Sequence, residues 1–132
     1  MIVVDTSALV AIIFAEPERQ AFVAAIHSTP LALLSSVSAV EARMVVHARR
    51  GERAVVALDD LIRLPVFEVV PPGEPETAAA FAAFIAFGRG SRHPAQLNFG
   101  DVFSYALAKV RGLPLLYKGN DFALTDIRPA IE

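Results

Sequence analysis

Four acidic residues far apart in the chain, Asp5, Glu41, Asp101 and Asp121, stand where carboxylates can do chemistry. Asp5 ends the β-branched run Ile2-Val3-Val4, where a strand should give way to a helix. Aspartate there makes a good helix N-cap, yet ligand sites of open α/β sheets also lie at the carboxyl ends of strands. Val37, Val40, Met44 and Ala48 read as the inward stripe of a helix, and the spacing places Glu41 within that stripe. A buried, unpaired carboxylate is costly, so Glu41 is expected to meet a cation, either an arginine or a metal ion. Asp101 follows Asn98-Phe99-Gly100 in the first turn of a predicted helix, where the helix dipole alone favours it by about 0.3–1 kcal/mol. Asp121 sits in the turn Gly119-Asn120-Asp121, which turn chemistry also explains, and Asp126 competes with it for the same role.

Together the four mean more than they do singly. Strand ends, helix starts and one inward helix face can converge at a single edge of a sheet. Two like charges about 4 Å apart, at an effective dielectric of 20, repel by ~4 kcal/mol. A converged quartet therefore demands protons or cations, and hard oxygen donors select Mg²⁺ or Mn²⁺ over zinc. His27, His47 and His93 lack metal-ligand spacing and are expected to be structural or on the surface.

The elements that must position these acids alternate. Strands are predicted at Ile2 to Val4, Leu31 to Leu34, Val66 to Val70 and Leu113 to Tyr117. Helices are predicted from Thr6 to Phe14, from Pro17 to about Ser28, from Val37 to Arg50 and from Glu52 to Arg63. Two more follow, from Pro75 to Phe87 and from Phe99 to Arg111. Ser35 and Ser36 suit the N-cap of the third helix, and Gly51 suits its end. Strands separated by helices imply parallel pairing, hence an α/β domain with a central parallel sheet of four to five strands flanked by helices. The helix to Phe87 is apolar around most of its circumference, so it is expected to be buried on more than one side, in part by a second subunit.

Composition narrows the field. The 132 residues suit one domain spanning the chain, and 55% hydrophobic with 20% charged residues marks a folded, apolar-leaning protein. That excess suggests apolar surface covered by a partner. With no cysteine, disulfides, thiol catalysis and cysteine-ligated zinc are excluded. The formal net charge of −2 gives no global basic field, so an anionic polymer must be gripped by local basic groups and cations. The longest nearly uniform apolar run, Ala78 to Phe87, is about half of the ~20 residues a membrane span needs. The start of the chain does not read as a secretory signal, so a cytoplasmic protein without membrane contact is expected.

The segments Ile2-Val3-Val4-Asp5-Thr6-Ser7-Ala8, Ser38-Ala39-Val40-Glu41, Asn98-Phe99-Gly100-Asp101 and Lys118-Gly119-Asn120-Asp121-Phe122 together resemble the PIN-domain nucleases. Within them the chain looks like a VapC-type toxin of a prokaryotic toxin–antitoxin pair, and the likeness runs the length of the chain. The resemblance implies an acidic site of Asp5, Glu41, Asp101 and Asp121 holding Mg²⁺ or Mn²⁺. In the family the surest ligands correspond to Asp5 and Asp101, and Asp121 to a more variable fourth acid. It also implies RNA cleavage, dimerisation and inhibition by a VapB-type antitoxin. Thr6 and Ser7 would then orient a ligand or water, and Lys118 and Asn120 would contact substrate phosphate. Arg43, Arg49, Arg50, Arg89 and Arg92 are further candidate phosphate contacts. Two other readings remain open: a receiver-like phosphoacceptor domain and a catalytically silent binding module of the same fold. Against the first, the strand at Val66 to Val70 carries Glu68 and no terminal aspartate.

Overall fold

The computed structural model describes all 132 residues. In chain order the elements are β1 (Ile2–Val4), α1 (Thr6–Ile13), α2 (Arg19–Ser28), β2 (Ala32–Ser35), α3 (Ser36–Arg50) and α4 (Glu52–Ile62). There follow β3 (Phe67–Val70), α5 (Glu74–Phe87), α6 (Phe99–Arg111), β4 (Leu115–Leu116) and a 3₁₀ turn (Phe122–Leu124). The four strands pair in the order β3-β2-β1-β4, and every pairing is parallel. The expected α/β domain with a parallel sheet is what forms, with four strands.

The alternation of side chains along each strand divides the core in two. Ile2 and Val4 join Ala32, Leu34 and Leu116 in the cluster beneath α1, α2, α3 and α4. Val3, Leu33 and Leu115 point the other way, into the cluster beneath α5 and α6. Helices on both faces bury both sides of a parallel sheet, which is why these strands read as continuous apolar runs. The last strand is shorter than expected: Leu113 and Tyr117 flank a two-residue strand, and Leu115 makes an additional parallel bridge to Pro129.

Two expectations about helix faces need correction. In α3 the buried residues are Ser38, Ala39, Ala42 and Val46, whereas Val40 and Met44 are 55% and 67% exposed. Small residues define that face because α3 crosses α6 closely enough for the buried Ser38 and Ser104 hydroxyls to meet at 3.0 Å. A stripe drawn through the large apolar residues therefore picks the wrong side, and Glu41 lies at the border of the packed face. In α5 only one side is covered, by way of Glu76, Ala80 and Ala83. Phe81, Phe84 and Ile85 stand exposed, so the burial on several sides expected of this helix does not occur within one chain.

Candidate active site

Asp5 lies at the carboxyl end of the central strand β1 and caps α1. Its Oδ2 accepts from the Ser7 backbone N–H at 2.9 Å and from the Ser7 hydroxyl at 2.7 Å. The Ser7 hydroxyl in turn accepts the Lys118 backbone N–H at 3.0 Å, tying the end of β4 to the start of α1. Asp5 is only 3% exposed, and its Oδ1 is buried with no hydrogen-bond partner. Capping thus uses one oxygen and leaves the other free. Leaving a buried charged oxygen unsatisfied is expensive unless something else meets it.

Asp101 is held by a reciprocal capping box. Its Oδ2 accepts the Asn98 backbone N–H at 2.9 Å, while its own N–H donates to Asn98 Oδ1 at 2.8 Å. The signal for this is present in the sequence as Asn-x-x-Asp ahead of an apolar helix, and Asn98 is a site residue that the motif reading passes over. Gly100 matters for another reason. A Cβ there would run into the Glu41 carboxylate, so that carboxylate can lie against the start of α6 because position 100 has none. Thr6 donates to the Ser38 carbonyl at 3.2 Å and lies near enough to Glu41 to act on its carboxylate.

Asp5, Glu41 and Asp101 line one open cleft of ≈ 350 Å³, together with Thr6, Ser7, Asn98, Glu16, Lys118 and Arg49. Burial pushes the Asp101 carboxyl up to about 7, with Asp5, Glu41 and Asp121 adding repulsion against the pull of the Asn98 N–H. Burial likewise raises Glu41, with Asp5 adding to the effect and Thr6 opposing it. Asp121 does not line the cleft and is exposed, but its charge reaches Asp101. Asp126 is committed elsewhere: Tyr105 donates to it, and Lys109 pairs with it at 2.7 Å. Of the two candidates for a fourth acid, Asp121 is the one within reach.

The basic candidates sort differently from expectation. The Lys118 ammonium, expected to face phosphate, is held at 2.9 Å by Glu16 and 3.2 Å by Glu18, which keep its pKa above the ordinary value. Asn120 is exposed in its turn. Arg43 is taken by Asp59 at 2.8 Å. Arg89 lies over an apolar groove between α5 and α6, and Arg92 is exposed. His93 packs edge-on against Phe87 and accepts the Ala95 N–H, a structural role.

The donor set suits a hard divalent cation: an orphaned, buried carboxylate oxygen on Asp5 beside two acids whose ionisation is opposed by their surroundings. No three acids stand close enough together to form a ready three-ligand cage. Mg²⁺ does not require one, since it characteristically takes one or two carboxylates and keeps several waters.

The parallel α/β fold is shared with known proteins. The chain matches the PIN domain over residues 2–127, and it belongs to that family. Its relatives narrow the description further. Ribonuclease VapC28 of Mycobacterium tuberculosis is 44% identical over 130 residues, covering 98% of each chain. Ribonuclease VapC of Mycolicibacterium smegmatis is 42% identical over 125 residues, 95% of this chain and 96% of its own. The fold resembles that of VapC20 of Mycobacterium tuberculosis, a sarcin-ricin loop cleaving toxin, with a TM-score of 0.78 at 21% identity and 96% of each chain covered. It also resembles VapBC2 of Rickettsia felis, solved on a promoter DNA fragment, with a TM-score of 0.72 at 14% identity, covering 98% of this chain and 96% of that one. Family membership removes the receiver-like reading, and Glu68 lies exposed on the edge strand β3.

Proposed function

We propose that this chain is a ribonuclease, the toxin of a toxin–antitoxin pair, and that it hydrolyses RNA phosphodiester bonds with Mg²⁺ or Mn²⁺. The observation that carries the reading is the Asp5 carboxylate, fixed through one oxygen by Ser7 and left with a buried, unpartnered second oxygen in a cleft shared with Glu41 and Asp101. Asp5 and Asp101 would hold the cation with help from Glu41, and Asp121 would act from the rim. When bound, the cation supplies a Lewis acid that lowers the pKa of water and neutralises charge developing on the phosphate.

The chain's own contribution is preorganisation. Ser7 and the capping box at Asn98 fix both aspartates through their Oδ2 atoms, so neither must be reordered when substrate arrives. Glu41 lines the same cleft, where its carboxylate would be placed to take a proton from the attacking water. The name shared by the relatives supports RNA as substrate, and acids gathered in an open cleft suit hydrolysis of a phosphodiester in a polymer.

For partners, the reading includes a VapB-type antitoxin and a second copy of this chain. The groove of ≈ 660 Å³ lined by Phe81, Phe84, Phe99 and Phe103 supports an apolar contact of that kind. No helix is long and apolar enough to cross a membrane, and a cytoplasmic location fits the reading.

Incubating the chain with RNA in Mn²⁺, in EDTA and as Asp5→Asn tests the activity. Cleavage that needs the cation and Asp5 is the expected result. Full cleavage in EDTA would defeat the metal assignment. A chain that binds Mn²⁺ but cleaves neither RNA nor DNA would be the silent module of the same fold.

A further inference from the structure

Two cations line the cleft, Lys118 and Arg49, and Lys118 is paired with Glu16 at 2.9 Å and with Glu18 at 3.2 Å. Arg49 and Arg50 differ. Neither has an acid within ion-pair range, and neither side chain donates a hydrogen bond to the protein. Both instead pack against one ring: the guanidinium carbons of Arg49 and Arg50 lie 5.4 Å and 4.8 Å from the centroid of Phe14.

Stacking covers one face of a guanidinium and restricts its motion, while its N–H edges stay open in the fork geometry that suits phosphate oxygens. Two unneutralised positive charges sharing a ring repel each other, and an anion between or beside them relieves that repulsion. Arg49 lines the cleft with the acids, and Arg50 joins it through the shared Phe14 ring. Glu41, Val45 and Arg49 recur at four-residue spacing and form one row of α3 along the cleft wall. Glu41 and Arg49 are eight residues apart, about 12 Å of helix rise. The cleft therefore has an acidic end at β1 and α6 and a basic end where α3 finishes. With a net charge of −2 there is no general attraction for a polyanion, and the other cation lining the cleft, Lys118, is already neutralised.

We infer that Arg49 and Arg50, braced on Phe14, form a subsite for backbone phosphates of RNA a short distance from the bond positioned at the acids. This assignment rests on the ribonuclease reading for the identity of the polymer, but its test does not need cleavage. Binding of a labelled single-stranded RNA to the full chain is measured in EDTA at several salt concentrations. Arg49→Gln/Arg50→Gln is expected to weaken binding about tenfold or more at low salt and to reduce the salt slope by about 0.7 for each phosphate no longer neutralised. Arg49→Lys/Arg50→Lys, which keeps the charges, should restore much of the slope. Arg63→Gln, at the far end of α4, should change neither quantity. Phe14→Leu keeps both charges without the brace and should give a smaller loss, and it serves if the double variant folds poorly.

A role confined to the C-terminal end of α3 would lower the melting temperature and leave RNA affinity and slope as in the parent, which would overturn the subsite. Arginine-dependent binding by a chain that never cleaves RNA would sink the ribonuclease reading and keep the subsite. Cleavage with arginine-independent affinity would do the reverse.

Discussion

Helix α6 carries two acidic neighbourhoods with opposite surroundings. Along its side, Asp126 receives the Lys109 ammonium and the Tyr105 hydroxyl, and Lys109 first, then Tyr105, hold its carboxyl below the ordinary value. At its start, burial, with added repulsion from Asp5, Glu41 and Asp121, pushes the Asp101 carboxyl up to about 7. Ordinary stabilising chemistry explains the first. The second works against the stability of the bare chain, and a fold keeps such an arrangement where a ligand repays it.

The largest effect that would sharpen this contrast is on activity. Asp101→Asn or Asp5→Asn should lower RNA cleavage at least about a hundredfold, the scale of several kcal/mol of lost charge stabilisation. The same Asp101→Asn should leave the metal-free chain as stable as the parent at pH 8, or more so, because the amide oxygen can still accept the Asn98 N–H and the repulsion is gone. A large fall in melting temperature would break the contrast. Next is Ser7→Ala, which frees Asp5 Oδ2 from its hydroxyl donor and should weaken Mn²⁺ binding about 10–100-fold by calorimetry.

The pH dependence separates the two neighbourhoods by sign. Asp101 has a folded value above its unfolded one, so the folded chain binds the extra proton between pH 3.8 and about 7. Stability of the metal-free chain should therefore fall as pH climbs through that window, and Mn²⁺ affinity should rise over it as the proton is displaced. Asp126 has a lowered value, so its contribution is present above the usual carboxylate range and disappears as pH drops through the folded value. The smallest effect is Asp126→Asn. This half-exposed pair should cost about 0.2–1 kcal/mol in denaturant melts at neutral pH, with cleavage unchanged.

Local signals make much of this legible in the sequence. Ile2-Val3-Val4-Asp5 announces a strand ending in an acid, and Asn98-Phe99-Gly100-Asp101 announces a helix start with another. What stays hidden depends on contacts between distant segments. The packed face of α3 is built from Ser38, Ala39 and Ala42, whose small size matters only because α6 crosses there. The partners of Lys118 come from Glu16 and Glu18, about a hundred residues earlier in the chain, so its capture in an ion pair leaves no trace in the residues around it. The same holds for the choice between Asp121 and Asp126, which Tyr105 and Lys109 decide. The uncovered side of α5 can be recognised as apolar from sequence, but not located relative to the sheet.

The bare backbone at Gly100 offers a switch for the experimenter. What a methyl group would strike there is the flexible tip of Glu41, and no main-chain atom is among the nearest obstacles. Gly100→Ala should therefore evict that carboxylate while the helices keep their places, yielding a disarmed form with every ionisable residue still present. Such a form would carry the parent's full charge into crystallisation with substrate or inhibitor, which amide replacements of the acids cannot do.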